Sequence, residues 1–182
     1  MHAVSGKKLN VGCGSDIRKG WVNLDSVSLP GVDIVHDVEK LPLPFEDEQF
    51  DEIQCDNILE HIEYMPVMKE LHRILKPGGL LKIRVPHFSS RNNYVDPTHK
   101  KHFSIDTFNF FVEGLSGKDY YFDFHFIKIT KRKIRFLKKG LFWGNRLIEP
   151  LINSSHKIQY LYESTFLCWL FPANDIVVEL IK

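Results

Sequence analysis

The sequence has few cysteines, and they are far apart. Cys13, Cys55 and Cys168 form no C-x-x-C pair, so neither a zinc site nor a disulfide framework is predicted. A chain of this kind suits a reducing compartment, and we expect a cytoplasmic protein.

Long apolar runs are also lacking. No segment reaches the roughly 18 uninterrupted apolar residues of a membrane span, and residues 1–6 lack the apolar core of a signal peptide. There is no internal repeat and no low-complexity tract. The sequence therefore predicts a soluble protein and leaves attachment to a membrane surface open.

Neither sign of charge is in excess. The 24 lysines and arginines balance 23 acidic residues, for a formal net charge of +1, so no overall field directs the chain to nucleic acid. Its 182 residues, 43% hydrophobic and 26% charged, are enough to bury a core without cross-links. We predict a single domain over residues 1–182.

What the sequence does contain is a series of short apolar segments that end in glycine or an acid. The first, residues 8–12, runs into a loop in which Gly12 and Gly14 permit a tight turn and close approach of a ligand. Further strands are predicted at residues 21–25, 33–37, 50–56, 80–85 and 175–181. Apolar residues at three- and four-residue steps over 67–75 predict a helix, which Pro77-Gly78-Gly79 should end.

Alternating strands and helices predict a parallel sheet that binds ligands beyond the carboxyl ends of its strands. Five residues that could serve a site lie at such ends: Gly12, Asp25, Asp37, Asp56 and His87. We therefore expect the site at one edge of the sheet.

The connection between the first two strands is unusually short. A parallel crossover normally takes about a dozen residues or more, so the first crossover helix should be missing or cut to about one turn. Ile17 also stands where a dinucleotide-binding G-x-G-x-x-G motif has its third glycine. Both features disfavour a nicotinamide-dependent reductase.

In order, spacing and chemistry, the chain resembles the class I S-adenosylmethionine-dependent methyltransferases, specifically the small ubiquinone-pathway-like group with a type 11 methyltransferase domain. The resemblance covers about residues 8–105, and its motifs are LNVGCGSD at 9–16, LPLPFEDEQFDEI at 41–53, LEH at 59–61 and ELHRILKPGG at 70–79. It implies a Rossmann-like α/β fold: a mostly parallel seven-stranded sheet, helices on both faces, and an antiparallel C-terminal strand pair. Residues 140–172 would be inserted within that pair.

The resemblance also implies S-adenosylmethionine as the cofactor and assigns its contacts. Asp25 would accept hydrogen bonds from the two ribose hydroxyls, and Asp37 with the Val38 backbone would recognise the adenine edge. The remaining predicted contacts are Val11, Gly12, Cys13, Gly14, Cys55, Asp56 and Asn57. Without a full first helix, Asp16 or Arg18 could help to hold the methionine end. We interpret Cys13 as a small residue tolerated in a tight loop.

Four histidines are candidates for binding the acceptor and acting as a base, since imidazole titrates near neutral pH: His61, His87, His99 and His102. The alternative is that they are ordinary loop and helix-cap histidines. Asp96, His99 and His102, with His87, also have spacing usable for a metal. No cysteine reinforces that set and methyl transfer needs no metal, so no metal is predicted.

The basic segment 128–139 is the one strong local charge asymmetry. It could be a solvated strand face, or a surface for substrate phosphates or an anionic membrane. Nucleic acid is not expected, because no clear set of stacking aromatics accompanies the basic residues. A homodimer through the aromatic residues 141–171 stays open.

The sequence thus predicts an enzyme that methylates a small or lipid/sugar-linked acceptor. The alternative is a non-catalytic S-adenosylmethionine-binding regulatory or partner module, which the short first crossover keeps open.

Overall fold

One seven-stranded sheet organises the chain, and its strands, counted along the sequence, lie in the order 3-2-1-4-5-7-6. The computed structural model describes residues 6–182 apart from the Leu141 side chain. Residues 1–5, which belong to the segment predicted to lack a signal-peptide core, lie outside the described residues. The strands are β1 (Lys8–Val11), β2 (Val22–Asp25), β3 (Ile34–Val35), β4 (Phe50–Asp56), β5 (Leu75–Pro86), β6 (Lys128–Arg135) and β7 (Asp175–Ile181). β1 to β5 pair in parallel, and β7 pairs antiparallel with both β5 and β6. The predicted mostly parallel sheet with an antiparallel C-terminal pair is confirmed.

Helices follow the fourth strand and fill the C-terminal insertion. They are α1 (Tyr64–Ile74), α2 (Asn92–Val95), α3 (Asn145–Ile152), α4 (His156–Glu163) and α5 (Leu167–Leu170), with 3₁₀ helices at Thr107–Phe111, Asp119–Tyr121 and Gly140–Phe142. α3, α4 and α5 lie between β6 and β7, in the segment whose structure the sequence does not predict. They add Ile152, Tyr162 and Cys168 to the core.

The sheet has one apolar face and one charged face. On the apolar face, buried residues of β1, β4 and β5 form a core cluster with Val67, Met68, Leu71 and Ile74 of α1. On the opposite face Glu52 pairs with both Lys8 and Lys82. Right-handed crossovers would place a β1–β2 helix on this second face, but the described residues between these strands form no helix. The predicted loss of the first crossover helix is confirmed.

Several boundaries differ from those predicted. α1 ends at Ile74, before the Pro-Gly-Gly turn, because Leu75 already pairs with Phe50 in the sheet. β3 is reduced to Ile34–Val35. The segment 120–136, for which the sequence predicts one or two strands, forms the single strand β6 preceded by a 3₁₀ helix.

The Glu70–Arg73 pair of α1 holds the proline-rich loop 41–47. Glu70 is 8% exposed, its Oε1 accepts a hydrogen bond from the Leu43 N–H at 2.7 Å, and its Oε2 accepts one from Arg73 Nε at 2.9 Å. Arg73 also donates to the Phe45 carbonyl at 3.0 Å. Two residues of the ELHRILKPGG motif therefore have a structural role.

We expect Glu70→Gln to lower the free energy of unfolding at pH 7 by about 1.5–3 kcal/mol, the usual contribution of a hydrogen bond to a charged group. The hydrogen bond from Arg73 lowers the pKa of Glu70, so this contribution is present above the unfolded-state pKa and is lost as pH falls through the folded-state value. Urea unfolding should show a smaller difference in the free energy of unfolding between the wild type and Glu70→Gln below pH 4 than at pH 7. The exposed Glu46→Gln should show no such advantage, and an advantage for Glu70 independent of pH would contradict the assignment.

Candidate functional site

The loop after β1 exposes bare backbone. Gly12 and Gly14 have positive φ values of 64° and 48°, a region that side chains other than glycine rarely enter. A Cβ on Gly12 would lie 2.8 Å from Cδ1 of Ile58, whereas one on Gly14 would meet no atom within 4 Å. Gly12 is therefore required by packing, and Gly14 faces open space that a ligand could fill.

Asp25, at the end of β2, lies against this loop. Its Oδ2 accepts a hydrogen bond from the Gly14 N–H at 2.7 Å, and its Oδ1 accepts one from the Val27 N–H at 3.0 Å. An ionised carboxylate has about four lone-pair sites. Asp25 is thus held in place by backbone donors and can still accept bonds from ligand hydroxyls.

The other predicted cofactor residues follow the neighbouring strand ends. Asp37 comes after β3 and accepts a hydrogen bond from the Glu39 N–H at 3.0 Å, beside the buried Val38. Asp56 ends β4, and Asn57 after it has a positive φ of 53°. The structure brings these residues to the same sheet edge as Val11, Gly12, Gly14 and Asp25.

The two cysteines near this edge are not in surroundings that would make a thiol reactive. Cys55 is fully buried, and burial raises the pKa of its thiol. The Cys55 side chain packs in the core, so the predicted cofactor contact of this residue would be made by its backbone. Burial and Asp25 raise the pKa of Cys13, so its thiol stays protonated, as its interpretation as a small loop residue requires.

A polar network fixes the short connection in place of a helix. Asn10, 1% exposed, donates to the Asp16 carbonyl at 2.7 Å, and Asn23 accepts a bond from the Arg18 N–H at 2.9 Å. The Arg18 side chain donates to Asp16 and to Gln54. The sequence analysis missed Asn10 and Asn23. The feature that could have identified them is an amide side chain inside a predicted buried strand.

A cavity of about 430 Å³ opens beyond the carboxyl ends of β4 and β5. Its lining comes from the loop after β4, the segment 92–99 and the start of β7: Asn57, Glu60, His61, Arg84, Pro86, Asn92, Val95, Asp96, His99, Asn174 and Asp175. Asn57 belongs both to this lining and to the predicted cofactor edge, so the two places adjoin.

His61 and His99 meet in this cavity, with ring centroids 4.6 Å apart. The Thr98 hydroxyl donates to Asp96 at 2.6 Å, and hydrogen bonds from Thr98 lower the pKa of Asp96. Because that hydroxyl has a single proton, His61 Nδ1 must donate to Thr98 Oγ1 across their 2.8 Å contact. The relay leaves Nε2 of a neutral His61 as a free acceptor.

Glu60 lies fully buried at the cavity wall, and the sequence analysis missed it. Neither of its carboxylate oxygens has a hydrogen-bond partner among the described residues, and the same holds for His99 Nδ1. Burial, with the nearby charges of Asp56 and Asp175, raises the pKa of Glu60 to about 7. Burial and the charge of His61 lower the pKa of His99.

The other two candidate histidines lie elsewhere. His87 is fully buried; its Nδ1 accepts a bond from the Ser89 N–H at 3.0 Å, so Nε2 donates to Glu163 Oε1 at 3.0 Å. Both ring nitrogens of His87 are thus engaged inside the protein and His87 is not among the residues that line the cavity, so its catalytic role stays a prediction. His102 is exposed, has its ring centroid 6.2 Å from that of Tyr94, and is not among the residues that line the cavity.

Comparison with known proteins finds similar proteins for part of the chain. Residues 13–83 match a family model described as a methyltransferase domain. An uncharacterized protein of Methanocaldococcus jannaschii is 36% identical over 77 residues, which is 37% of this chain and 34% of that protein. Demethylmenaquinone methyltransferase of Staphylococcus epidermidis is 37% identical over 57 residues, 31% of this chain and 23% of that enzyme. The chain spans about a third or less of the length of these relatives.

Solved structures extend the likeness to nearly the whole chain. A SAM-dependent methyltransferase from Archaeoglobus fulgidus aligns with 97% of this chain and 86% of its own, at a TM-score of 0.61 and 19% identity. A phosphoethanolamine N-methyltransferase of Haemonchus contortus, in complex with S-adenosyl-L-methionine, aligns with 97% of this chain and 48% of its own. Its TM-score is 0.58 and its sequence identity is 17%. At these identities the likeness shows the fold, and the Rossmann-like expectation is confirmed.

Proposed function

Because this chain carries a methyltransferase domain over residues 13–83 and has the fold of S-adenosylmethionine-dependent methyltransferases, we propose that it transfers a methyl group from S-adenosylmethionine to an acceptor in the cavity beside His61. The observation that carries this proposal is the adjacency of two places. The Gly14–Asp25 edge and the histidine cavity meet at Asn57, at the end of β4.

The edge offers donors and acceptors suited to each part of the cofactor. Asp25 accepts hydrogen bonds from the ribose hydroxyls, Asp37 and the Val38 backbone contact the adenine, and the open backbone at Gly14 admits the methionine portion. Arg18 and Asp16, joined by a 2.7 Å ion pair, replace a helix N-terminus as the wall behind that portion. The sulfonium then faces the cavity.

The cofactor supplies a methyl group that leaves a positively charged sulfur, so the protein mainly aligns donor and acceptor. An acceptor hydroxyl or amine must also lose a proton. The free Nε2 of His61, oriented through Thr98 and Asp96, lies in the cavity where that proton leaves. Glu60 and His99 complete the polar group around it.

The acceptor is proposed to be lipid-linked, because an apolar surface adjoins the cavity. The insertion exposes ten large apolar side chains: Phe142, Trp143, Leu147, Leu151, Tyr160, Leu161, Phe166, Trp169, Leu170 and Phe171. Lys139, Arg146 and Lys157 are exposed among them. We name this set the insertion surface. Basic and aromatic residues combined in this way suit an anionic bilayer interface.

The insertion surface leads directly into the cavity wall. Asn174 and Asp175, three and four positions after Phe171, line the cavity. Among the described residues, no helix is long and apolar enough to cross a membrane, so contact would be with the membrane surface. The demethylmenaquinone methyltransferase relatives support an acceptor of the lipid class.

The test is turnover. Purified protein with methyl-deuterated S-adenosylmethionine should form S-adenosylhomocysteine, and mass spectrometry should find the label in a lipid fraction of a membrane extract. His61→Ala should lower the rate by about 10²- to 10⁴-fold, the usual contribution of a positioned acid or base. His102→Ala is the matched control and should retain the rate. Cofactor binding without turnover on any fraction would favour the non-catalytic binding module.

Leu147 and Leu151, 73% and 65% exposed one helical turn apart on α3, test the insertion surface. We expect the Leu147→Asp/Leu151→Asp double variant to bind anionic vesicles at least about 10-fold more weakly, since each buried leucine contributes about 1.5–3 kcal/mol. Vesicle co-sedimentation should show this loss, and should show weaker wild-type binding at high salt. Leu115→Asp, exposed outside the insertion, is the control. If the double variant co-sediments with vesicles as the wild type does, and a wild-type dimer dissociates in the variant, the insertion surface would be a self-association surface instead.

A further inference from the structure

We propose that Glu60, His61 and His99 bind a divalent transition-metal cation in the cavity. Each of the three offers one ligand atom, and these atoms lie within 4.8 Å of one another. Two imidazoles and one carboxylate form a known ligand set for zinc and for non-haem iron. Small side-chain movements would bring the three donors to coordination distance around one ion.

Unsatisfied polar atoms are the second observation. Both oxygens of Glu60, whose side chain is fully buried, and Nδ1 of His99 have no partner among the described residues. Buried polar atoms are almost always hydrogen-bonded, and a buried unpaired carboxylate is costly. One cation would satisfy the carboxylate and the imidazole together.

His61 is oriented as a ligand would be. Its Nδ1–H donates to Thr98, which in turn donates to Asp96. Metal-binding histidines usually donate their second N–H to a fixed acceptor, which sets the tautomer and the ring orientation. The relay therefore leaves Nε2 of His61, a residue that lines the cavity, available to bind a metal ion.

The Lys100 and Lys101 N–H groups fix the two sides of this cluster to each other. Both donate to the Glu60 carbonyl, at 2.7 and 3.2 Å, and so tie the segment that carries His99 to the loop that carries Glu60 and His61. The ligand set differs from the one considered from the sequence, which joined Asp96, His99 and His102 with His87. The folded chain retains only His99 of these four and adds Glu60 and His61.

The donor chemistry selects the metal. Magnesium and calcium prefer oxygen ligands, whereas imidazole suits zinc, iron and copper. Three protein ligands leave at least one coordination position open, as in catalytic zinc sites. We expect zinc to bind in preference to magnesium.

The role of this metal rests on the proposed function. If the metal takes part in methyl transfer, the methyl acceptor is a hydroxyl compound. A hydroxyl coordinated to the cation loses its proton to water more readily. Its oxygen then forms a bond to the methyl carbon as the C–S bond breaks, and that bonding electron pair stays on sulfur. With the metal bound, His61 would act on the acceptor proton through the cation, and His61→Ala would still lower the rate of methyl transfer.

The test measures metal binding alone. EDTA-treated wild-type protein is titrated with zinc against a chromophoric chelator, without S-adenosylmethionine, and should bind one zinc ion per chain. Glu60→Gln and His99→Ala should each weaken binding by at least about 100-fold, the upper end of the loss reported for residues around a metal site. His102→Ala, a neighbouring exposed histidine, should bind as the wild type does. Cobalt in place of zinc should give visible absorption bands that both ligand variants lose.

The outcomes separate the metal site from methyl transfer. Asp25→Ala should retain zinc while losing the cofactor, and zinc binding without turnover would uphold the metal site while the proposed function fails. Failure of the wild type to bind zinc would overturn the metal site. So would zinc binding that Glu60→Gln and His99→Ala retain, because the ion would then lie elsewhere. Urea unfolding of each variant confirms that it is folded.

Discussion

Asp25→Ala will weaken the binding of S-adenosylmethionine and S-adenosylhomocysteine by at least about 100-fold. Two hydrogen bonds from ribose hydroxyls to a carboxylate contribute about 1.5–3 kcal/mol each, and about 1.4 kcal/mol corresponds to a factor of 10 in Kd. The variant also releases the Gly14 and Val27 N–H groups, which Asp25 holds at 2.7 and 3.0 Å. The loop would therefore lose its shape along with the ligand contact.

Isothermal titration with both ligands measures this effect, and two further variants interpret it. Asp25→Asn keeps an oxygen for the Gly14 N–H but loses the charge, so we expect a smaller loss than for alanine. Asp123→Ala removes a carboxylate that pairs with Lys69 away from the site and should bind as the wild type does. Retained binding in Asp25→Ala would contradict the placement of the ribose at the end of β2.

His87→Ala will lower the free energy of unfolding by about 3–5 kcal/mol, the range for removing a large buried ring. The His87 ring is fully buried beside Phe88 and Tyr162, with centroids 4.3 and 5.8 Å away. Its loss also removes the partner of Glu163 Oε1, which accepts a second bond from the Ile105 N–H at 2.8 Å. The expected effect is on stability instead of on chemistry.

Urea unfolding measures the loss of stability. Cofactor titration, under conditions where the variant is folded, measures whether the cofactor site is intact. We expect the cofactor affinity of His87→Ala to match that of the wild type. His102→Ala, which removes an exposed ring, should change stability by no more than about 0.5 kcal/mol. A stable His87→Ala that binds the cofactor but does not turn over would support the catalytic assignment.

Strands with polar or turn residues at both ends are predicted best from the sequence. β4, Phe50–Asp56, and β7, Asp175–Ile181, agree with their predicted bounds. The helices α3 to α5 were not predicted, because their apolar side chains lie on exposed as well as buried faces. Leu147 and Leu151 are exposed beside the buried Ile152, so hydrophobic periodicity gave no clear phase.

The same contrast holds for the site. The positions of Asp25 and Asp37 at one edge of the sheet could be predicted, because a strand end is visible in the sequence and parallel strand ends meet at one edge. Glu60 could not, because its burial depends on contact between two loops that are distant in the chain. The sequence also places His87 at a strand end, but it cannot show that the ring turns inward to Glu163.

A crystal structure with S-adenosylhomocysteine tests the central claim most directly, because it locates both the cofactor edge and the transferable position. We predict ribose hydroxyls on Asp25, adenine beside Asp37 and Val38, and the sulfur at the mouth of the cavity that contains His61. A ligand bound elsewhere, or a sulfur directed away from that cavity, would contradict methyl transfer at this site.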